Sequence, residues 1–432
     1  MVAGSKSLAM SLTSSSEKID VSDLRVGMFI HLDGGWMSHP FPLSSFKITS
    51  QEQLVALRAT GLSLLRWSPE QSDPELQPAP EPCAAADKSE NSPQQAEAQA
   101  RRAHREMLSA ERQAMAACER QFGEAIKASR LVFDDVAMQP ESSRQAAEAL
   151  VAQLVDKMVC SEDMCIRLLS EGAGDRASAH AVNVSVISLL MGRSFGLTAD
   201  EMTDLGVGAL LHDVGKLEIP DRFRHRDEGF NAAENKLYES HVAHGTAQAR
   251  RLRMSAESAV IVAQHHEASD GSGFPLGINS DRTTVLSRIV ALVNVYDNLC
   301  NPANPARAVT PHEAVALMFA QGRNRYDPAI LGAFIKMMGV YPAGSVVQLT
   351  DDRFALVVGV NSSRTLRPRV LVHDPRVPRD EALIVDLETV SGLGIRRSLK
   401  PLALPEAALG YLSPRPRVHY FFEPAQALEA LQ

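Results

Sequence analysis

The run His212-Asp213-Val214-Gly215-Lys216 could do metal chemistry, because it places an imidazole beside a carboxylate. It follows the apolar segment Leu205–Leu211, which is typical of a helix, so both groups stand at a helix end. There the imidazole nitrogen and the carboxylate can point at one position, and the carboxylate can bridge two cations. Taken alone, the pair fits an ordinary solvated His-Asp neighbour equally well.

A second candidate is His265-His266-Glu267, followed by the segment Asp270-Gly271-Ser272-Gly273-Phe274-Pro275. Tandem histidines at the end of a helix can both reach one metal ion. The glycines allow backbone N–H groups to approach a ligand closely. A turn that caps a helix would explain the glycines, but it would not explain two adjacent histidines. The string therefore favours a ligand site.

Further histidines can complete the set. His180 begins an apolar helix, and His241 lies four residues before Gly245. A single helical histidine is more often a core or surface residue than a ligand, so these two depend on the company of the others. His244, one turn beyond His241, is an alternative ligand. We expect His225, in a charged loop, to be solvated.

The elements that must hold these residues are mainly helices. The chain has 432 residues, of which 45% are hydrophobic, 22% charged and only 5% aromatic, so we expect several compact units packed through aliphatic side chains. The net charge of −8 argues against binding to nucleic acid polymers or an anionic membrane. Five cysteines without paired spacing, and no long apolar run, predict a cytoplasmic protein without a membrane segment.

Changes of pattern along the chain predict five segments. Residues 18–67 read as a small α/β domain, with a helix over Ser50–Leu57, and the Pro-, Glu- and Ser-rich residues 68–99 read as a disordered linker. Residues 100–160 hold two long connecting helices, which could also dimerise or pack on the next domain. Residues 161–338 read as successive helices that carry the histidines, and 339–422 as a small β-rich domain.

The order of these motifs resembles the HD-GYP family, a branch of the HD-domain metal-dependent phosphohydrolases. The resemblance covers about residues 160 to 335: an isolated His180, the run 212–216, His241 with Gly245, the run 265–275, and Arg288-Ile289. Some members also carry a small N-terminal domain of unknown function and a β-rich tail. The resemblance implies a helical HD bundle with the small α/β domain before it and the β-rich domain after it.

The resemblance also implies a binuclear metal site and a substrate. Two divalent ions, of iron, manganese, nickel or zinc, would lower the pKa of water and stabilise the displaced oxygen. One ion would take His241, His265, His266 and Asp213; the other would take His180, His212, the shared Asp213 and the residue at position 294. The implied substrate is cyclic di-GMP, opened to pGpG and onward to GMP. Implied partners are diguanylate-cyclase (GGDEF) proteins and a second copy of the chain.

Substrate contacts are implied for Lys216 and Arg288, which would offset charge on phosphoryl oxygens, and for Gly271, Gly273 and Phe274. Asp213 and Lys216 are the implied catalytic residues.

Three positions depart from the family pattern. Asn294 stands where an aspartate is usual, although Asp297 matches the second family aspartate. Arg176 stands where a third metal would need glutamate, so a trinuclear site is not expected. Phe274 replaces the signature tyrosine and loses its hydroxyl.

Three functions fit these observations. The first is an active cyclic di-GMP phosphodiesterase, in which Asn294 coordinates through its carbonyl oxygen. The second is a weak or inactive HD-GYP protein that acts as a cyclic di-GMP or partner-binding scaffold. The third, an HD phosphohydrolase for another nucleotide, fits His212-Asp213 but not the run 265–275.

Overall fold

A computed structural model describes residues 17–31, 45–49, 54, 57–58, 64–73, 93–159, 163–169, 175–322 and 324–425. The chain divides into two compact units, residues 1–90 and 91–432. In the part that the structure describes, no helix is both long and apolar enough to cross a bilayer.

The first unit contains a four-stranded antiparallel sheet. Its strands are β1 (Glu17–Asp20), β2 (Phe29–His31), β3 (Ser45–Lys47) and β4 (Leu64–Ser68), in the order β1-β4-β2-β3. Ile30 and Leu65 lie in its apolar core. The helix expected over residues 50–57 falls mostly outside the described residues.

The second unit begins with two long helices, α1 (Pro93–Asp135) and α2 (Pro140–Val159), which pack on each other. The disordered linker expected over residues 68–99 is wrong at both ends. Ser68 closes β4, and α1 begins at Pro93 rather than at Ala100, because proline suits the first helical position and the residues after it favour helix. Residues 74–92 of the expected linker lie outside the described residues.

The helical core is built from seven further helices. They are α3 (Arg176–Ser194), α4 (Ala199–Leu211), α5 (Ala232–Arg251), α6 (Ala256–Gln264), α7 (Val285–Cys300), α8 (Pro311–Gln321) and α9 (Pro328–Met338). Helix α3 is buried almost all round and contacts α4 and α7. Side-chain caps fix several helix starts: Thr198 and Asn231 each form a capping box with the glutamate three residues later. The fold is mainly α, as predicted.

The C-terminal region forms a seven-stranded antiparallel sheet. Its strands are β5 (Met164–Leu168), β6 (Val346–Leu349), β7 (Phe354–Asn361), β8 (Arg369–Val372), β9 (Ile384–Asp386), β10 (Ile395–Leu399) and β11 (Tyr420–Pro424), with helix α10 (Glu406–Leu412) before the last strand. The main path runs β10-β6-β7-β5-β11, and β8 pairs with β7 and β9.

This sheet corrects the expected division between residues 161–338 and 339–422. Strand β5 precedes the histidine-bearing helices, yet it lies between β7 and β11. One continuous apolar core includes side chains from both segments. The β-rich region is therefore part of the unit that holds the histidines.

Candidate metal centre

Asp213 lies at the centre of four histidines. Its Oδ2 is 3.4 Å from His212 Nε2 and 3.6 Å from His180 Nε2. Its Oδ1 is 3.6 Å from the Nε2 atoms of both His241 and His265. Each carboxylate oxygen thus faces one pair of imidazoles.

Backbone carbonyls fix the imidazoles so that Nε2 points inward without a hydrogen. Nδ1 donates to the carbonyl three residues earlier at 2.7 Å for His212, 2.5 Å for His241 and 2.8 Å for His265. A carbonyl can only accept, so Nδ1 carries the hydrogen in a neutral ring. Nε2 of His241 then faces Nε2 of His265 at 3.3 Å, and the corresponding atoms of His180 and His212 are 3.2 Å apart. Lone pairs this close to one another favour a cation beside them.

Burial keeps the rings of His241, His265 and His266 neutral. It lowers the pKa of His241 to about 3 and depresses the pKa of His265 and, more strongly, of His266, although Asp213 opposes each shift. Burial also disfavours the charged form of Asp213, but the Lys216 ammonium together with His212 and His265 outweighs it and holds the pKa of that carboxyl well below its ordinary value. A carboxylate among neutral imidazoles is a ligand set that suits a transition-metal ion.

The C-terminal ends of α4 and α6 bring the run 212–216 and His265 to the cluster around Asp213. His212 is the C-cap of α4, and the chain turns there into a 3₁₀ segment, Val214–Glu218, that packs on α5. Gly215 permits this approach, because a Cβ at that position would lie 1.9 Å from the carbonyl oxygen of His241. His265 is the C-cap of α6. Helix α5 places His241 in the cluster and leaves His244 exposed, which resolves the alternative between them.

His266 joins the group formed by Asp213, His241 and His265, with one ligand atom of each residue within 4.8 Å of the others. Its ring stacks on Phe274, with centroids 4.3 Å apart and an interplanar angle of 21°. The phenyl ring thus keeps a packing role without the hydroxyl of the usual tyrosine.

The loop after His266 is held by Glu267, whose carboxylate accepts hydrogen bonds from the backbone N–H groups of Leu276 at 2.8 Å and Ile278 at 3.0 Å. Gly271 has a positive φ of 77°, and a Cβ on Gly273 would lie 2.4 Å from the backbone of His266 and of Ala268. These contacts give both glycines a role in shaping the loop. Their contact with substrate stays a prediction.

The second group is formed by His180, His212 and Asp213. Asp297 orients His180, since its Oδ2 accepts from Nδ1 of that ring at 2.5 Å. Its other oxygen accepts from Asn183 and Asn301. Asp297 therefore orients a candidate ligand through a hydrogen bond to its outer nitrogen. Such hydrogen-bond partners adjust the metal affinity of a site.

Asn294 is buried on α7, and its Oδ1 accepts from Nδ2 of Asn298 at 2.6 Å. This contact engages the oxygen that was expected to face the second ion. Coordination by Asn294 stays a prediction.

The Arg288 guanidinium pairs with Asp327 at 2.5 Å, and Arg288 does not line the cavity beside the histidines. Its contact with phosphoryl oxygens stays a prediction. His225 was expected to be solvated, but it lines that cavity, and burial, together with Arg176 and Lys216, lowers its pKa to about 4. Its loop position gave no periodic signal for this placement.

The cavity beside the cluster has a volume of about 810 Å³ and reaches His180, Asp213 and Lys216. Basic side chains are prominent on its wall: Arg130, Arg176, Lys216, Arg224 and Arg417. Lys216 Nζ lies 2.6 Å from Asp213 Oδ2. A ligand in this cavity would therefore meet the histidine cluster and several cations together.

Comparison with known proteins agrees with this geometry. A family model described as "HD domain" matches residues 153–330, and "Domain of unknown function (DUF3391)" matches residues 16–147. The chain is 27% identical over 360 residues to the cyclic di-GMP phosphodiesterase PA4108 of Pseudomonas aeruginosa. The aligned region covers 82% of this chain and 84% of the relative. Residues 153–330 are thus similar to HD domains, as the resemblance implied.

Two further relatives match this chain over shorter lengths. The cyclic di-GMP phosphodiesterase response regulator RpfG of Xanthomonas campestris is 28% identical over 206 residues, 46% of this chain and 54% of the relative. The 3'3'-cGAMP-specific phosphodiesterase 3 of Vibrio cholerae is 28% identical over 166 residues, 38% of this chain and 36% of the relative.

HD-domain phosphohydrolases are metal-dependent, and the residues of this chain fit a metal. Oδ1 of Asp213 is buried and has no hydrogen-bond partner among the described residues. Leaving a buried carboxylate oxygen without a partner is costly, and a cation would satisfy it.

Proposed function

We propose that this chain is a metal-dependent phosphodiesterase that hydrolyses cyclic di-GMP to linear pGpG, and in a second step to GMP. The observation that carries the proposal is the position of Asp213, whose two oxygens each face a separate pair of histidines. The names of relatives such as PA4108 and RpfG support cyclic di-GMP as the substrate.

The chain offers ligands for two divalent ions of iron, manganese, nickel or zinc. One ion would be held by Asp213, His241, His265 and His266, and the other by Asp213, His180 and His212, with Asn294 as a further ligand. When bound, the ions supply an activated water and positive charge next to the reacting phosphorus. The remaining roles belong to the protein's own side chains.

Lys216 and Asp297 support the reaction in different ways. The Lys216 ammonium lies on the cavity wall beside Asp213, where it can offset charge on a phosphoryl oxygen. Burial lowers its pKa, but the attraction of Asp213 and Tyr238 and the hydrogen bond to Asp213 together exceed that effect, so the pKa is raised and the ammonium stays charged. Asp297 holds His180 in the orientation that presents Nε2 to the centre.

A weak or inactive scaffold that binds cyclic di-GMP is the second candidate function. Asn294 favours it, because an amide at this position supplies no negative charge and its oxygen already accepts a hydrogen bond from Asn298. A site with fewer carboxylates balances a divalent ion less well.

The test measures metal content per chain and hydrolysis on the same preparation, with cyclic di-GMP and 3'3'-cGAMP as parallel substrates. An active phosphodiesterase retains metal and cleaves cyclic di-GMP. Tight binding of cyclic di-GMP without turnover would favour the scaffold instead, and faster cleavage of 3'3'-cGAMP would correct the substrate.

The matched variants for this test are His241→Ala and His244→Ala, which lie one turn apart on α5. His241 is buried in the cluster and His244 is exposed. We expect only His241→Ala to lose metal and activity. Equal losses in the two variants would contradict the proposed ligand set. Association with GGDEF proteins and homodimer formation stay predictions.

A further inference from the structure

Two arginines from distant parts of the chain meet on the wall of the cavity beside the histidine cluster. Arg176 is the first residue of α3, and Arg417 lies three residues before β11. Both are partly buried. The Arg176 guanidinium donates to the backbone carbonyl of Asn301 at 3.1 Å. The cavity thus has a basic corner built from the helical core and the C-terminal segment.

The positive charge in this corner is not balanced by the protein. In the described part of the chain, neither Arg176 nor Arg417 forms an ion pair with a carboxylate. Burial and then repulsion by Arg417 lower the pKa of Arg176, and the weaker attraction of Asp297 opposes them. Like charges held together away from water are costly unless an anion joins them.

The acids on the cavity wall are already engaged. Asp213 pairs with Lys216, and Asp221 with Arg224. Asp175 accepts from the N–H and hydroxyl of Ser178. Asp134 lies 3.7 Å from Arg130, and Asp297 accepts from His180, Asn183 and Asn301.

Hydrogen bonds fix Arg417 relative to the candidate metal ligands. Asn301 accepts from the N–H of Val418 and donates to its carbonyl, both at 2.8 Å. The same amide group donates to Asp297, which in turn binds His180. The residue next to Arg417 is therefore connected to a candidate ligand through two side chains.

We infer that Arg176 and Arg417 bind the second phosphodiester of a cyclic dinucleotide, while the first lies at the histidine cluster. The inference rests on the proposed function. A cyclic dinucleotide carries two anionic phosphodiesters in one ring, so a cavity that cleaves one of them must also accommodate the other. Two guanidinium groups match the oxygens of a phosphodiester in charge and geometry. A free phosphate ion has the same chemistry and is the competing occupant.

The experiment compares Arg176→Gln and Arg417→Gln with Arg224→Gln in the full-length, manganese-loaded protein. Arg224 lines the same cavity, but its charge is paired with Asp221 at 2.9 Å. KM is measured for cyclic di-GMP and for bis(p-nitrophenyl) phosphate, which has only one phosphodiester. Removing either unpaired arginine should raise the KM for cyclic di-GMP about tenfold or more. The rise should be smaller for bis(p-nitrophenyl) phosphate and for Arg224→Gln.

Several outcomes would overturn the inference. They are an unchanged KM for cyclic di-GMP, an equal rise for both substrates, or an equal rise in Arg224→Gln. If a glutamine variant loses its metal through misfolding, Arg176→Lys and Arg417→Lys keep the charge but not the planar fork. We expect an intermediate rise in KM from these variants, and a KM equal to that of the wild type would count against the subsite.

Binding without turnover separates this inference from the proposed function. If the wild type binds cyclic di-GMP but does not cleave it, the proposed function fails, and the subsite is judged from the Kd of each variant by equilibrium dialysis. If cleavage occurs with the same KM in every variant, only the subsite fails. Loss of affinity for inorganic phosphate without loss of affinity for cyclic di-GMP would assign the pair to a free phosphate ion.

Discussion

Each carboxylate oxygen of Asp213 faces two imidazole nitrogens, and the four rings come from four different helices or helix ends. The resemblance to the HD-GYP family implied this group of residues, whereas spacing alone favoured a ligand site at His265-His266 and left the His-Asp pair open. Spacing alone also could not choose between His241 and His244, since both lie on one helix within one turn. Burial of α5 against the 3₁₀ segment after Asp213 makes that choice.

Asn294→Asp tests why this member should bind its second ion weakly. In the proposed site, where position 294 faces the second ion, the substitution adds a negative charge, so we expect higher occupancy of the second ion and faster cleavage of cyclic di-GMP. The gain should be largest at low metal concentration, because excess metal fills a weak site by mass action. Metal stoichiometry and initial rates across a metal titration measure it.

The outcome that would contradict this explanation is an unchanged titration. It would mean that position 294 keeps its bond to Asn298 and does not face the ion. The ligands His265 and His266 are the same in both proteins, so occupancy of the first ion serves as an internal control.

His225 gives a prediction about pH. Burial, Arg176 and Lys216 lower its pKa to about 4. Between about pH 6.5 and 4 the His225 ring is therefore neutral in the folded protein but protonated in the unfolded chain. His225 therefore reduces stability as the pH falls from about 6.5 towards 4. In Arg176→Gln we expect its pKa to rise, because one of the opposing positive charges is removed. NMR titration of the His225 ring measures this, and an unchanged pKa would show that burial alone sets it.

At the scale of elements, the sequence predicted that helices occur but not where they start. Helix α1 starts at Pro93, before the expected Ala100, and the capping box of Thr198 and Glu201 starts α4 at Ala199, before the expected segment Leu205–Leu211. The ends of α4 and α6 have a second use, because their C-cap residues, His212 and His265, carry candidate ligand atoms. Periodicity identifies an apolar helix face, but it does not show which loop that face brings near a ligand. His225 was missed for this reason.

Gly215→Ala tests the close contact between the 3₁₀ segment and α5. An added Cβ would meet the backbone of His241 and Gly245, which cannot move without moving the helix. We expect a loss of about 1–3 kcal/mol of unfolding free energy, with weaker metal retention. Gly123→Ala on α1 is the control, since its added Cβ meets nothing within 4 Å and alanine favours helix. Equal stability of the two variants in denaturant would contradict the close contact.

At the scale of the whole molecule, the C-terminal sheet and the helical core are one structure. The sequence predicted most of the later strands from their β-branched residues, but it separated them from the histidine region. That separation failed because strand pairing over a long sequence distance leaves little local signal. Strand β5 and strand β11 are about 250 residues apart, yet Tyr420 pairs with Leu168 in register.

A buried charge network ties this sheet to the long helix α1. Arg167 on β5 pairs with Glu111 on α1 and Glu423 on β11, and Arg369 on β8 reaches Glu111 at 2.8 Å. The Arg167 side chain is 1% exposed, so its charge depends on these two carboxylates. Such a network fixes the relative placement of four elements, α1, β5, β8 and β11.

Glu423→Ala should therefore destabilise the entire unit of residues 91–432. The substitution leaves the buried Arg167 with only one of its two carboxylate partners. Losing one member of a buried ion pair costs about 3–5 kcal/mol of unfolding free energy. Glu388→Ala is the control, because its pair with Arg364 at 3.1 Å is exposed and should be worth less than about 1 kcal/mol. Since the core is continuous, loss of bound metal and loss of helical circular dichroism should follow one shared unfolding transition. A first transition that melts the sheet while the histidine cluster keeps its metal would show that the two parts fold independently.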